Sequence, residues 1–115
     1  MPARKGPVDV RPALFGGTGD VRVWNLLADH DAAPHPFTAV LSCELDPGGH
    51  VGRHVQQHFP EIVVGLSGEG EAFVDGEPAP LGEGDVVHLP LGSTLELRNR
   101  SSTAPLAYLI IKARA

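Results

Sequence analysis

The amino-acid sequence predicts an all-β fold, a sandwich or barrel of short strands. Three observations predict it. Fourteen glycines and 11 prolines among 115 residues supply many turns and disfavour long helices. Short runs alternate apolar and polar residues with a period of two, separated by Gly, Pro and Asp turn signals. No credible helix of ten residues can be drawn anywhere along the chain.

Residues 1–20 read as an N-terminal arm, with Pro2, Pro7 and Pro12 followed by the turn-forming run Gly16-Gly17-Thr18-Gly19-Asp20. Residues 21–115 read as a single barrel domain, since a chain of this length builds one core and not two. Val21 to Leu27 is the first strand candidate, and Asp29 to Pro36 is a Pro-containing loop. Phe37 to Leu45 is the clearest strand. Phe37, Ala39, Leu41, Cys43 and Leu45 form its apolar face against Thr38, Val40, Ser42 and Glu44. Asp46-Pro47-Gly48-Gly49 stops it. Ile62 to Leu66 follows, then a hairpin about Asp75-Gly76, whose residues suit the left-handed positions of a tight turn. Val86 to Leu89, Thr94 to Arg100 and Leu106 to Lys112 complete about eight strands.

Composition excludes several functions. The formal net charge is -5 with no basic stripe, so no nucleic-acid partner is expected. No apolar run approaches the ~20 residues of a membrane span, so no membrane partner is expected either. The basic N-terminal residues lack a following apolar stretch, so no secretory signal is read there. The single Cys43 can form no internal disulfide, reads as a buried small hydrophobe, and leaves a cytoplasmic location as the expectation. The Gly-rich runs at 16–19 and 65–70 precede no helix and are not phosphate loops.

Chemistry concentrates between Gly48 and Gly70, where His50, His54, His58 and Glu61 are metal-ligand types. Along an extended strand, residues two apart share a face and lie ~6.6 Å apart, whereas residues four apart lie ~13 Å apart. His54 and Gln56 can therefore face one site. His50 and His58 join it only if the strand bulges or bends. His88 turns outward if Val87 and Leu89 face the core, and His50, His30 and His35 read as turn or surface residues.

The spacing Gly48-x5-His54-x-Gln56-x4-Glu61-x6-Gly68 resembles the first cupin motif, G-x5-H-x-H-x(3,4)-E-x6-G. Gly84-x5-Pro90-x-Gly92-x2-Leu95-x3-Asn99 is similar to the second, G-x5-P-x-G-x2-H-x3-N. The resemblance implies a double-stranded β-helix, the jelly-roll barrel. It also implies a divalent metal (iron, manganese, nickel or zinc) held inside the barrel by three His and one Glu. Here His54 and Glu61 match, Gln56 stands at the second His position and Leu95 at the third. Glutamine can offer a carbonyl oxygen and leucine offers nothing, so a metal at His54, Gln56 and Glu61 is expected to be weakly held.

Two functional readings that use the cavity follow, beside a third in which the chain is a structural or accessory cupin with no working cavity. In one, the barrel binds a small molecule, with Leu95, Leu97 and Leu41 as apolar cavity walls beside a residual metal site. In the other, it is a metal-dependent cupin enzyme of the dioxygenase, isomerase or decarboxylase class. A homodimer is expected, because Val8, Val10, Leu14 and Phe15 in the arm could cover a sheet edge.

Overall fold

The computed structural model describes residues 6–28 and 36–114. His30, His35 and most of the loop read at 29–36 lie outside them. Ten strands occur among the described residues: β1 (Val8–Pro12), β2 (Asp20–Ala28), β3 (Phe37–Leu45), β4 (His50–Val55), β5 (Glu61–Ser67), β6 (Glu69–Val74), β7 (Glu77–Gly82), β8 (Val86–Leu89), β9 (Thr94–Asn99) and β10 (Leu106–Ala113). They form a six-stranded sheet ordered β1-β2-β3-β10-β5-β8 and a four-stranded sheet ordered β4-β9-β6-β7. All pairings are antiparallel. The two sheets face each other as a jelly-roll barrel. One strand goes beyond the sequence reading, β1 within the arm, and the strand expected to carry both His54 and Gln56 is β4, which ends at Val55.

Alternation places the core. Val21, Val23, Cys43, Leu45, Val63, Leu89, Leu106 and Tyr108 face inward from the larger sheet, and Val51, Ala72, Leu81, Leu95 and Leu97 from the smaller. Strand β3 departs from its simple pattern. Thr38 and Ser42, on the polar face, are buried, while Phe37, on the apolar face, is exposed. Ser42 is flanked by its cross-strand partners Trp24 and Leu109, whose larger side chains cover it. Phe37 lies where β10 slips register, between Lys112 and Ala113, at the end of the ladder.

Turn chemistry behaves as the residues require. Asp75 (φ 50°) and Gly76 (φ 82°) form the left-handed pair joining β6 to β7. The Asp75 carboxylate accepts the Thr94 N–H at 2.9 Å, tying that hairpin to β9. Asn99 closes the opposite end. Its Nδ2 donates to the carbonyls of Leu45, Asp46 and Ala104 at 3.2, 3.0 and 2.9 Å, and its Oδ1 accepts the Ser101 N–H. A buried amide that is satisfied on both sides fixes two loops at once.

From Val8 onward, the described arm residues pack onto the barrel. Strand β1 pairs with β2 as the sheet edge, and a 3-10 turn at Leu14–Gly16 crosses toward β4. Ala13 (φ 47°) and Phe15 (φ 54°) hold left-handed conformations without being glycine, which costs about 1–2 kcal/mol each. Contacts with β4 hold them there. Thr18 exchanges backbone hydrogen bonds with His50 at 2.8 and 2.9 Å. A Cβ on Gly52 would stand 1.8 Å from the Phe15 carbonyl oxygen. Gly52→Ala should therefore lower stability by about 2 kcal/mol and lift the turn off β4. Urea denaturation and the His54 ring resonances measure both effects. An unchanged midpoint with an unchanged ring environment would contradict this packing.

Candidate functional site

A cavity of about 520 Å³ opens between the sheets, with walls from β1, β2, β3, β4, β5, β9 and β10, the Leu14–Gly16 turn and the 56–59 loop. His54, Gln56 and Glu61 all line it, as do Leu95, Leu97 and Leu41.

His54 reaches the cavity through a bulge. Val51 pairs with Leu97 and His54 with Leu95, so three steps on β4 match two on β9. Val51 and His54 therefore share the inner face. The His54 Nδ1 lies 2.9 Å from the Gly52 carbonyl, which fixes Nδ1 as the protonated nitrogen and leaves Nε2 as the acceptor. The Phe15 ring stacks on the imidazole with centroids 3.9 Å apart and planes 13° apart. Burial lowers the His54 pKa, which favours the neutral ring.

Gln56 lies one residue past β4 and not on the strand that the two-residue spacing assumed. Its N–H donates to the Ser93 carbonyl at 2.9 Å and its carbonyl accepts the Gly92 N–H at 2.8 Å. This pairing with the Pro90–Ser93 turn keeps the side chain inward. Gln56 is 6% exposed, and its Nε2 has no hydrogen-bond partner.

Glu61 opens β5 and is 4% exposed. Its Oε1 lies 3.8 Å from the Lys112 ammonium, and its Oε2 has no hydrogen-bond partner. Burial pushes its pKa up to about 7, against the opposing pull of Lys112. Farther along the wall, burial raises the Cys43 thiol to about 12 and lifts the Tyr108 hydroxyl well above its ordinary value. Burial thus disfavours the thiolate, the nucleophilic form of Cys43.

The remaining histidines separate clearly. His88 points outward from β8 and is exposed. His50 is not a solvated turn residue: it opens β4, half-buried, with Nε2 2.5 Å from the Glu96 carboxylate. His58 is exposed in the 56–59 loop at the cavity margin.

Three contributors escape a sequence reading. Lys112 had a signal, since it continues the inward series Leu106, Tyr108 and Ile110 at a period of two. Phe15 and Arg11 reach the cavity only because the arm folds back, and no local pattern encodes that return.

The donors do not fit a tightly held divalent cation. Among the described residues, no three His, Cys, Asp or Glu side chains form a cluster able to hold a metal. Leu95 stands directly across from His54. A cation seated on Glu61 would also meet the Lys112 ammonium, which already supplies positive charge there.

Comparisons with known proteins agree with this architecture. The cupin domain model matches residues 41–112. An oxalate-binding protein of Thermotoga maritima is 31% identical over 90 residues, covering 78% of this chain and 74% of that protein. A crystal structure from the same organism, described as a predicted oxalate decarboxylase, superposes with a TM-score of 0.83 at 25% identity, covering 94% of this chain and 92% of that one. A cupin 2 conserved barrel domain protein from Salinispora arenicola gives 0.67 at 26% identity, covering 95% and 87%. The matched segment runs from β3 to β10 and contains both glycine-bounded motifs, so the likeness rests on the barrel itself: the chain belongs to the cupin family.

Proposed function

We propose that the chain binds a small molecule in the cavity between its sheets. One observation carries the reading. Gln56 and Glu61 line the cavity, and the Gln56 Nε2 and Glu61 Oε2 atoms are buried without hydrogen-bond partners, whereas buried polar groups are ordinarily paired. A ligand bearing complementary groups satisfies both. The apolar walls with few polar groups have the make-up of a ligand site, and the Thermotoga maritima relative is named for binding a small molecule. A fragment screen followed by two-dimensional NMR of the isotope-labelled protein tests the reading. Binders should shift His54, Gln56, Glu61, Leu95, Leu97 and Leu41 together, whereas shifts confined to the outer surface would refute it.

A divalent cation at His54, Gln56 and Glu61 is, in this reading, a weak occupant lost on dialysis against a chelator. A cytoplasmic location belongs to the same proposal, supported by the lone Cys43. Among the described residues no helix is long and apolar enough to cross a membrane.

The proposal also includes a second copy of the chain. Alternation turns Val10, Val40, Val64, Val86, Leu109 and Ile111 to the outer face of the six-stranded sheet, where Val10 and Val86 are 48% and 61% exposed. The apolar patch of Val40, Val64, Val86, Leu109 and Ile111, bounded on the Val10 side by the Arg22–Glu44 pair, is suited to burial against its own copy. Light scattering should give a dimer at micromolar concentration and a monomer for Ile111→Asp. A monomeric wild type would overturn this part.

A further inference from the structure

The cavity wall is of two kinds. Val21, Val23, Val51, Leu95, Leu97 and Tyr108 are buried and belong to the core. Leu14, Phe15, Leu41, Phe59 and Ile110 line the same cavity but keep accessible surface: Phe15 is exposed and the other four are half-buried. They come from four parts of the chain, the Leu14–Gly16 turn, β3, the 56–59 loop and β10. Leu41 and Ile110 are direct cross-strand partners, so their side chains form one apolar strip on the inner face. Accessible apolar surface gathered from separate elements marks a binding site.

Phe15 adds a second observation. Leu14 packs against the core, whereas Phe15 is 55% exposed with one face of its ring against His54. Ala13 and Phe15 hold left-handed conformations, and strain of this kind clusters at ligand clamps. Here it displays an aromatic ring at the cavity and buries none in the core.

The lysine and arginine of the lining are not gathered. Through β2 and β3, Arg11 is level with Leu106, six residues along β10 from Lys112. Their backbones are therefore ~20 Å apart along the strand direction. Their side chains are 47% and 34% exposed, and solvation weakens the pull of each on an anion.

We infer that the ligand is a small molecule with a hydrocarbon body, seated on Leu14, Phe15, Leu41, Phe59 and Ile110 and held chiefly by burial of apolar surface. This rests on the reading of the cavity as a ligand site and names the chemical class it takes. The volume of about 520 Å³ lies within the roughly 300–1,000 Å³ of small-molecule pockets.

The test titrates the isotope-labelled full chain, kept in chelator, with 1-butanol, 1-hexanol, 1-octanol and oxalate. The alkanols should move the resonances of Leu14, Leu41 and Ile110. Affinity should rise about threefold to fourfold for each methylene buried, roughly 100-fold from 1-butanol to 1-octanol. Oxalate, which has no hydrocarbon, should leave those resonances unmoved. Phe15→Asn, at an exposed position, and Ile110→Thr should each weaken 1-octanol by roughly threefold to tenfold. Dispersed amide spectra check that both variants fold, and Phe15→Asn decides alone if Ile110→Thr does not. Oxalate binding in the cavity more tightly than 1-octanol would overturn the inference and leave the cavity as a ligand site. An affinity that does not grow with chain length, or one unchanged in the variants, would overturn it in the same way. So would shifts confined to Val64, Val86 and Ile111, which would place the alkanols on the outer face of the six-stranded sheet. If neither the alkanols, oxalate nor any screened fragment moves a cavity resonance, the ligand-site reading and this inference fall together.

Discussion

In Leu95→His, zinc or nickel should bind roughly 100-fold more tightly than in the wild type. Leu95 is the direct cross-strand partner of His54, it is 1% exposed, and its side chain is part of the cavity wall. Facing residues on antiparallel strands have Cβ atoms ~4.5–5.5 Å apart, close enough for two imidazoles to share one cation. The new ring would join His54 Nε2, which is free of the backbone bond held by Nδ1, and the Glu61 carboxylate. Without metal, the buried imidazole should lower stability by about 1–3 kcal/mol. With metal, the folded state should be stabilised by mass action, so the midpoint of thermal unfolding should rise with zinc concentration. Adding Lys112→Met should raise the affinity again, because the ammonium beside Glu61 no longer competes with the cation. Competition with a coloured chelator measures these affinities. A gain that survived His54→Ala would place the metal elsewhere, and no gain at all would show that His54 and residue 95 do not face one site.

That substitution can be designed because the ligand positions are spaced along the sequence at intervals a strand and its turns can realise. The same locality made much of the fold legible. Alternation over 37–45 and 94–100 and the Asp75-Gly76 pair each express a rule that operates within a few residues. Misses came where a side chain's environment is set from far away. Ser42 is buried by Trp24 and Leu109, which are 18 and 67 residues distant in sequence. His50 finds Glu96 across the β4–β9 ladder. Phe15 meets His54 only because a strained turn carries the arm over β4. Gln56 falls beyond the end of its strand, yet its pairing with Gly92 and Ser93 restores the inward direction. The positions of the candidate ligands could be read from spacing. The Lys112 charge that changes their chemistry arrives from the last strand, and spacing within the motifs carries no information about it.

Glu61 should make the protein lose stability as the pH rises from about 5 to 8. Its pKa stands at about 7 in the folded state against 4.5 when solvated. The folded protein therefore prefers the protonated carboxyl more strongly than the unfolded chain does. That preference contributes fully below the unfolded pKa and is lost as the pH climbs through the folded one. A shift of about 2.5 units corresponds to about 3 kcal/mol across this window. Two groups act in the opposite sense. His54, lowered by burial, gains stability for the fold as the pH rises toward 6.5. Asp46, lowered by the Asp20 N–H and by Arg22, loses its contribution only at acidic pH, as the pH falls through its folded pKa. Glu61→Gln isolates the carboxyl from both. The amide keeps the shape, cannot ionise, and leaves Lys112, 34% exposed, with water as its partner. Urea denaturation from pH 4.5 to 8.5 in the presence of chelator should show the variant gaining on the wild type with increasing pH. The advantage should level off above pH 8 at up to about 3 kcal/mol. Parallel profiles for the two proteins would mean that the Glu61 carboxyl is solvated and ionised like any surface glutamate. The unpartnered Gln56 and Glu61 atoms would then no longer mark buried polar groups. A rising difference would show directly that the barrel holds this carboxyl away from water, which is the condition for a ligand's donor to be worth more there than a water molecule.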